Sequence, residues 1–201
     1  MAKPYSKALV FAVSATFSLA WSHRAGADEL LIDDPGEHPD YIFDAEPHLL
    51  LGVFKPPGPA AGTGLGVGFR GTIEIFDNGF VPSINNTVGI GFGVDWMRYD
   101  RADRACVNQA AGSNCRIVQV EESVDYFWIP VVLQWNFWLS DNWSVFGEPG
   151  VALRVTNEGD SEVSFDPFNL WVGGRFHFSD AVALTMRIGY PTFSIGVSFL
   201  F

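Results

Sequence analysis

From His48 to Phe201, apolar side chains recur at every second position rather than every third or fourth, which is the period of strands and not of helices. The last segment shows it most plainly. Phe193, Ile195, Val197, Phe199 and Phe201 alternate with Thr192, Ser194, Gly196 and Ser198. A second strand puts Leu65, Val67, Phe69, Ile73 and Ile75 on one face and Gly66, Gly68, Arg70, Thr72 and Glu74 on the other. A third alternates Val88, Ile90, Phe92, Val94 and Trp96 with Gly89, Gly91, Gly93 and Asp95. A fourth sets Phe127, Ile129, Val131, Leu133, Trp135 and Phe137 against Gln134 and Asn136. The fifth carries Trp143, Val145, Val151, Leu153 and Val155, with Ser144, Glu148 and Arg154 opposite. The sixth carries Phe168, Leu170, Val172, Phe176 and Phe178, with Asn169, Trp171, Arg175 and His177 opposite. The seventh carries Val182, Leu184, Met186, Ile188 and Tyr190, with Thr185 and Arg187 opposite. A short first strand from His48 is ambiguous: Leu49, Leu51 and Val53 share one face, His48, Leu50, Gly52 and Phe54 the other.

Eight strands is an even number, as single-chain membrane barrels require, and the greasy face is the aromatic one. A soluble barrel buries its apolar face, but an eight-stranded interior has no room for so many Phe and Trp. The expectation is an all-β fold: an eight-stranded antiparallel transmembrane β-barrel, apolar outside and polar within. The third and fifth connections hold polar loops at 100–122 and 157–162, whereas the fourth and sixth are brief Ser-Asp turns. Long loops outside and short turns at the periplasm is the pattern of outer-membrane barrels. The second connection is long and the seventh short for that scheme. Trp96, Trp128, Trp135, Trp138, Trp143 and Tyr190 lie towards strand ends, where interfacial girdles are expected.

Other features narrow the class. The 14-residue apolar stretch from Ala8 to Trp21 follows Lys3 and Lys7 and precedes Ala25-Gly26-Ala27. That reads as a signal peptide of residues 1–27 cleaved after Ala27, being too short for the ~20 residues of a membrane-spanning helix. Its removal takes away three basic residues and no acid, so the remainder is more acidic still than the whole chain at −11. Such a charge excludes nucleic acid as a natural partner. Residues 28–46 form an acidic N-terminal segment with eight Asp and Glu, no Lys or Arg, and several Pro and Gly. It reads as a solvated tail, with a calcium or partner site as the alternative, although no spaced calcium loop is present. It could also enter the lumen beside the arginines. The barrel then spans 47–201. Cys106 and Cys115 are the only cysteines, and a close pair behind a signal peptide suggests a disulfide rather than a metal pair.

The chemistry expected inside is a charge network of Arg70, Glu74, Asp95, Glu148, Arg154, Arg175 and Arg187, because buried charges must be paired or hydrated. It can be a plug of ion pairs or the lining of a narrow channel. An acyl-transfer enzyme would need Ser and His with an acid. His177, beside the Ser179 turn, lacks a Gly-x-Ser-x-Gly elbow and is expected to be a polar lumen residue. No cofactor or metal is expected.

From about His48 onward the chain resembles the small outer-membrane β-barrels of the OmpA, OmpX and OmpW type. The resemblance implies a Gram-negative outer-membrane location among lipid and lipopolysaccharide. It implies insertion by the barrel-assembly machinery, with Phe199 and Phe201 as the terminal aromatic signal. No peptidoglycan-binding domain is expected, because the chain stops at strand eight. The function expected is non-enzymatic, structural or surface-interacting, with loops 100–122 and 157–162 meeting an extracellular ligand. A small channel for ions or solutes is the alternative.

Overall fold

A computed structural model describes residues 30–54, 56, 58, 60–107, 116–158 and 160–201, and for 61, 101–107, 116–122, 158 and 160 the backbone alone. Eight antiparallel strands close on themselves in sequence order: β1 Phe43–Gly52, β2 Ala60–Phe76, β3 Asn86–Val107, β4 Arg116–Ser140, β5 Trp143–Glu158, β6 Asp160–Ser179, β7 Val182–Gly189 and β8 Thr192–Leu200. Closure leaves no free edge between β1 and β8, where Leu49 pairs with Ile195 and Leu51 with Phe193. Phe201 finishes the seam: its carbonyl accepts from the amides of Ile42 and Phe43, and its own amide donates to Phe43.

The alternation read from the sequence sets the two faces of the wall. On β4, Phe127, Ile129 and Val131 are exposed, while Trp128, Val132, Gln134 and Asn136 are buried. The exposed set continues round the barrel through Leu49, Val67, Phe69, Ile90, Phe92, Leu153, Leu170, Ile188 and Ile195. Polar and charged residues, among them Asp44, Glu46, Arg70, Glu148, Arg175 and Arg187, are buried instead. An apolar belt of this extent is stable against lipid and not against water, and among sheets only a closed barrel satisfies its own backbone there. The chain is a membrane barrel turned inside out relative to a soluble one.

Two strand expectations are corrected. β1 begins at Phe43, not His48, so Asp44 and Glu46 of the acidic segment belong to the wall. Pro47 disguised this. It lacks an N–H, but it sits where no β1–β8 pair forms between Ala45–Phe199 and His48–Gly196, so the missing donor is tolerated. The polar loops at 100–122 and 157–162 are mostly strand. β3 and β4 stay paired up to Val107–Arg116, and β5 and β6 up to Glu158–Asp160. The wall therefore rises far higher at β3–β6 than at β7–β8, which a two-residue turn joins.

The end where these hairpins project is the hairpin end; the other, holding residues 30–42 and Phe201, is the terminal end. There, a short 3-10 turn at Leu31–Asp33 opens a segment that folds under the barrel. The Asn85 amide donates to Ile32 O (2.8 Å) and its side chain to Glu37 O (2.9 Å). In the 77–85 turn, Asn86 Oδ1 accepts from Phe80 N, and Gly79 adopts φ +35°, with Asn86 in the space a β-carbon would take.

Candidate functional site

The lumen is the site with the densest chemistry, and it is built in three layers. Inward positions of β1, β2, β3, β5 and β7 supply the middle one, a closed ring of alternating charge. Arg187 grips Glu46 with both guanidinium branches, Nη1 donating to Oε1 (2.7 Å) and Nη2 to Oε2 (2.9 Å). It also holds Glu148, with Nη2 3.1 Å from Oε1 and Nε 2.9 Å from Oε2. Arg70 Nη1 also donates to Glu148 Oε2 (3.2 Å), and Arg70 lies 3.7 Å from Asp95. His48 completes the circuit, its Nε2 2.9 Å from Asp95 and its Nδ1 3.3 Å from Glu46. Nε2 is hydrogen-bonded to Asp95, whereas Nδ1 makes no hydrogen bond and faces Glu46 at ion-pair distance only. With His48 charged, three cations alternate with three anions.

A separate pair lies nearer the terminal end. Arg175 Nη2 donates to Asp44 (2.5 Å) and Gln134, and Nη1 donates to Asn136. The lumen's charge then balances. Gln134 links the two groups by donating to Glu148 at 2.7 Å. Phe146 lies under Arg175 and Arg187, at 4.9 and 5.2 Å, and Trp171 faces Arg70 at 5.6 Å. These aromatic faces cover guanidinium surfaces that carboxylates do not reach. Glycines make the room: a β-carbon on Gly68 would strike Asp95 and His48, and one on Gly93 would meet Phe69 O and Arg70.

Above and below, the lumen is stoppered. At the hairpin end Leu50, Met97, Tyr99, Tyr126, Trp128 and Ala152 form one buried cluster. Tyr126 stacks on Trp128 at 5.2 Å and meets Tyr99 edge-on at 5.6 Å. Gly52 and Gly64 face each other across β1 and β2, leaving the slot that the Tyr99 ring fills. At the terminal end Tyr41, Trp138 and Leu200 form the floor, with His38 edge-on to Trp138 and His177 tilted against it.

Other residues expected in this network lie elsewhere. Arg154 sits higher, 3.5 Å from Asp166 and partly exposed, because the β5–β6 wall outlasts the charged layer. Glu74 is half-buried at the terminal rim, in a hollow with Asp40, Tyr41 and Phe201. Trp128 and Trp138, expected in the girdle, point inward, since both lie on the same parity as Gln134 and Asn136. Trp143 and Tyr190 are exposed at opposite ends of the wall. Asn169 donates to Asp166 O. Phe199 faces outward and Phe201 is exposed at the rim. Cys106 has its backbone in β3 opposite Ile117, whereas Cys115 and Ala27 lie outside the described residues.

Ser144 Oγ lies 2.9 Å from His177 Nε2, deep in the wall. The Nδ1 of His177 has no partner, so the pair lacks the acid that orients a catalytic imidazole, and both residues are buried. At the upper rim, beyond the apolar belt, Arg98 grips Asp125 through two hydrogen bonds of 2.8 and 3.0 Å and holds its carboxyl below the usual carboxylate range.

No family model and no curated protein sequence matches the chain. Among solved structures, it is similar to Ail, the attachment invasion locus protein of Yersinia pestis, crystallised with the heparin analogue sucrose octasulfate. The identity is 14% and the TM-score 0.43, over 80% of this chain and 97% of that one. Neisserial surface protein A aligns at 14% identity and TM-score 0.38, over 80% and 96%. Acinetobacter baumannii Omp33 aligns at 7% and 0.26, over 82% and 100%.

Proposed function

We propose that the protein is a non-conducting, non-enzymatic barrel of a Gram-negative outer membrane that works through what it presents at its two ends. The observation that carries this reading is the lumen itself. Its charges pair off within a closed ring and one further pair, between an aromatic roof and floor. An ion crossing it would have to break buried pairs and displace stacked rings, each costly in a low dielectric. A lumen so filled is what eight strands leave space for.

The reading brings with it a cleaved leader, insertion by the barrel-assembly machinery with Phe199 and Phe201 as signal, and lipopolysaccharide around the belt. The long β3–β4 and β5–β6 hairpins face outward and form the surface offered to an extracellular ligand. A Cys106–Cys115 disulfide would stiffen the taller one by closing a short loop. A channel is the second reading, because guanidinium and carboxylate groups line the bore.

Single-channel recording in a planar bilayer separates the two. The folded protein, with heat-modifiable mobility on a gel, is expected to stay silent. Discrete openings whose amplitude changes in Arg187→Ala would replace this reading with transport.

A further inference from the structure

The terminal end carries a cavity of about 480 Å³ that the lumen does not use, within the size range of small-ligand sites. Glu37 of the N-terminal segment, Asp141 of the β4–β5 turn and Asp180 of the β6–β7 turn line it from three directions, with His38 and Trp138. Residues 30–42 and the turns at 77–85, 141–142 and 180–181 contain no Lys or Arg to neutralise them.

Two buried groups at the same cavity lack partners. His38 Nε2 lies 2.9 Å from the Asp77 carbonyl oxygen, which can only accept, so this nitrogen bears the proton. The lone pair on Nδ1 is then left with no donor, on a side chain 1% exposed. Trp138 Nε1–H also has no acceptor, on a residue 1% exposed. Burial holds the His38 imidazole below its ordinary value, against the pull of Asp77, Asp40 and Glu37, which keeps that lone pair free near neutrality.

We infer that this cavity binds a small organic ligand bearing a primary ammonium, with a hydroxyl a few bonds away. An ammonium has three donors in divergent directions, suiting carboxylates on three separate segments, whereas a planar guanidinium favours a coplanar pair. The hydroxyl takes the Trp138 N–H. A bare metal ion needs several ligands at about 2–2.6 Å and fits poorly, since among the described residues no three His, Cys, Asp or Glu groups converge closely enough to hold one; an ammonium needs only hydrogen bonds of about 2.8 Å to the carboxylates it reaches and gains from the field of the others.

The test is calorimetric titration of the detergent-folded full chain with 5-aminopentan-1-ol, with pentane-1,5-diol and calcium chloride as comparisons. Saturable binding of the amine alone is expected. It weakens roughly tenfold or more in Asp141→Asn/Asp180→Asn and in His38→Leu, and is unchanged in Glu162→Gln at the opposite end. Unchanged gel mobility certifies that each variant is folded. No saturable binding of the amine, equal affinity in the double variant, equal weakening in Glu162→Gln, or binding of calcium in place of the amine would each overturn the assignment.

Discussion

Arg187 stands between Glu46 and Glu148 and is the member of the ring whose loss orphans most charge. Arg187→Met is expected to destabilise the folded barrel by about 3–5 kcal/mol, because two buried carboxylates lose their shared cation. Urea unfolding in vesicles, followed by loss of the heat-modifiable gel band, measures it. Gly68→Ala is expected to cost about 1–3 kcal/mol by forcing apart the His48–Asp95 contact rather than by backbone strain, since Gly68 has an ordinary φ. Arg70, Glu148, Arg175 and Arg187 could be placed inward from the sequence because each lies on the polar parity of a clearly alternating strand. Asp44 and Glu46 could not. They share that parity, but the six other acids of 28–46 and Pro47 give the stretch the look of a tail. Nothing local announces that Phe146 or Tyr99 turns inward, for an aromatic on either face of a strand has the same period.

The long hairpins are hidden in the sequence for a related reason. Asp, Arg and Glu between 100 and 122 read as loop when strands are identified by an apolar face, yet above the membrane neither face needs to be apolar. Pairing alone carries β3 and β4 to Val107–Arg116. The segment 30–42 is a second such element, held under the barrel by Asn85 and His38. His38 has a lowered pKa when docked, so the undocked state binds the proton more readily. Docking is therefore fully favourable above about pH 6.5 and weakens as the pH falls below it. The protection factor of the Asn85 amide, which donates to Ile32 O, is expected to fall on acidification once the slower intrinsic exchange is corrected for, and His38→Gln is expected to flatten that response.

For the whole molecule, the decisive property is the inversion of faces, and it was the most legible one. Period two, eight segments and an aromatic face were sufficient to expect a membrane barrel, because no other arrangement hides that many Phe and Trp. Whether the bore is open was not legible. That depends on which inward residues meet across the lumen, and register is invisible in a single chain. On the proposed reading the exterior lies in lipid and the interior is sealed against water. A nitroxide scan along β4 from Phe127 to Phe137 in bilayers, with Cys106 and Cys115 replaced by serine, measures both at once. Labels at Phe127, Ile129, Val131, Leu133, Trp135 and Phe137 are expected to collide with oxygen dissolved in lipid, and those at Val132, Gln134 and Asn136 with neither oxygen nor a water-soluble nickel complex. Nickel collisions at the second set would mean an open, hydrated pore, and at the first set a barrel that does not reside in a membrane at all.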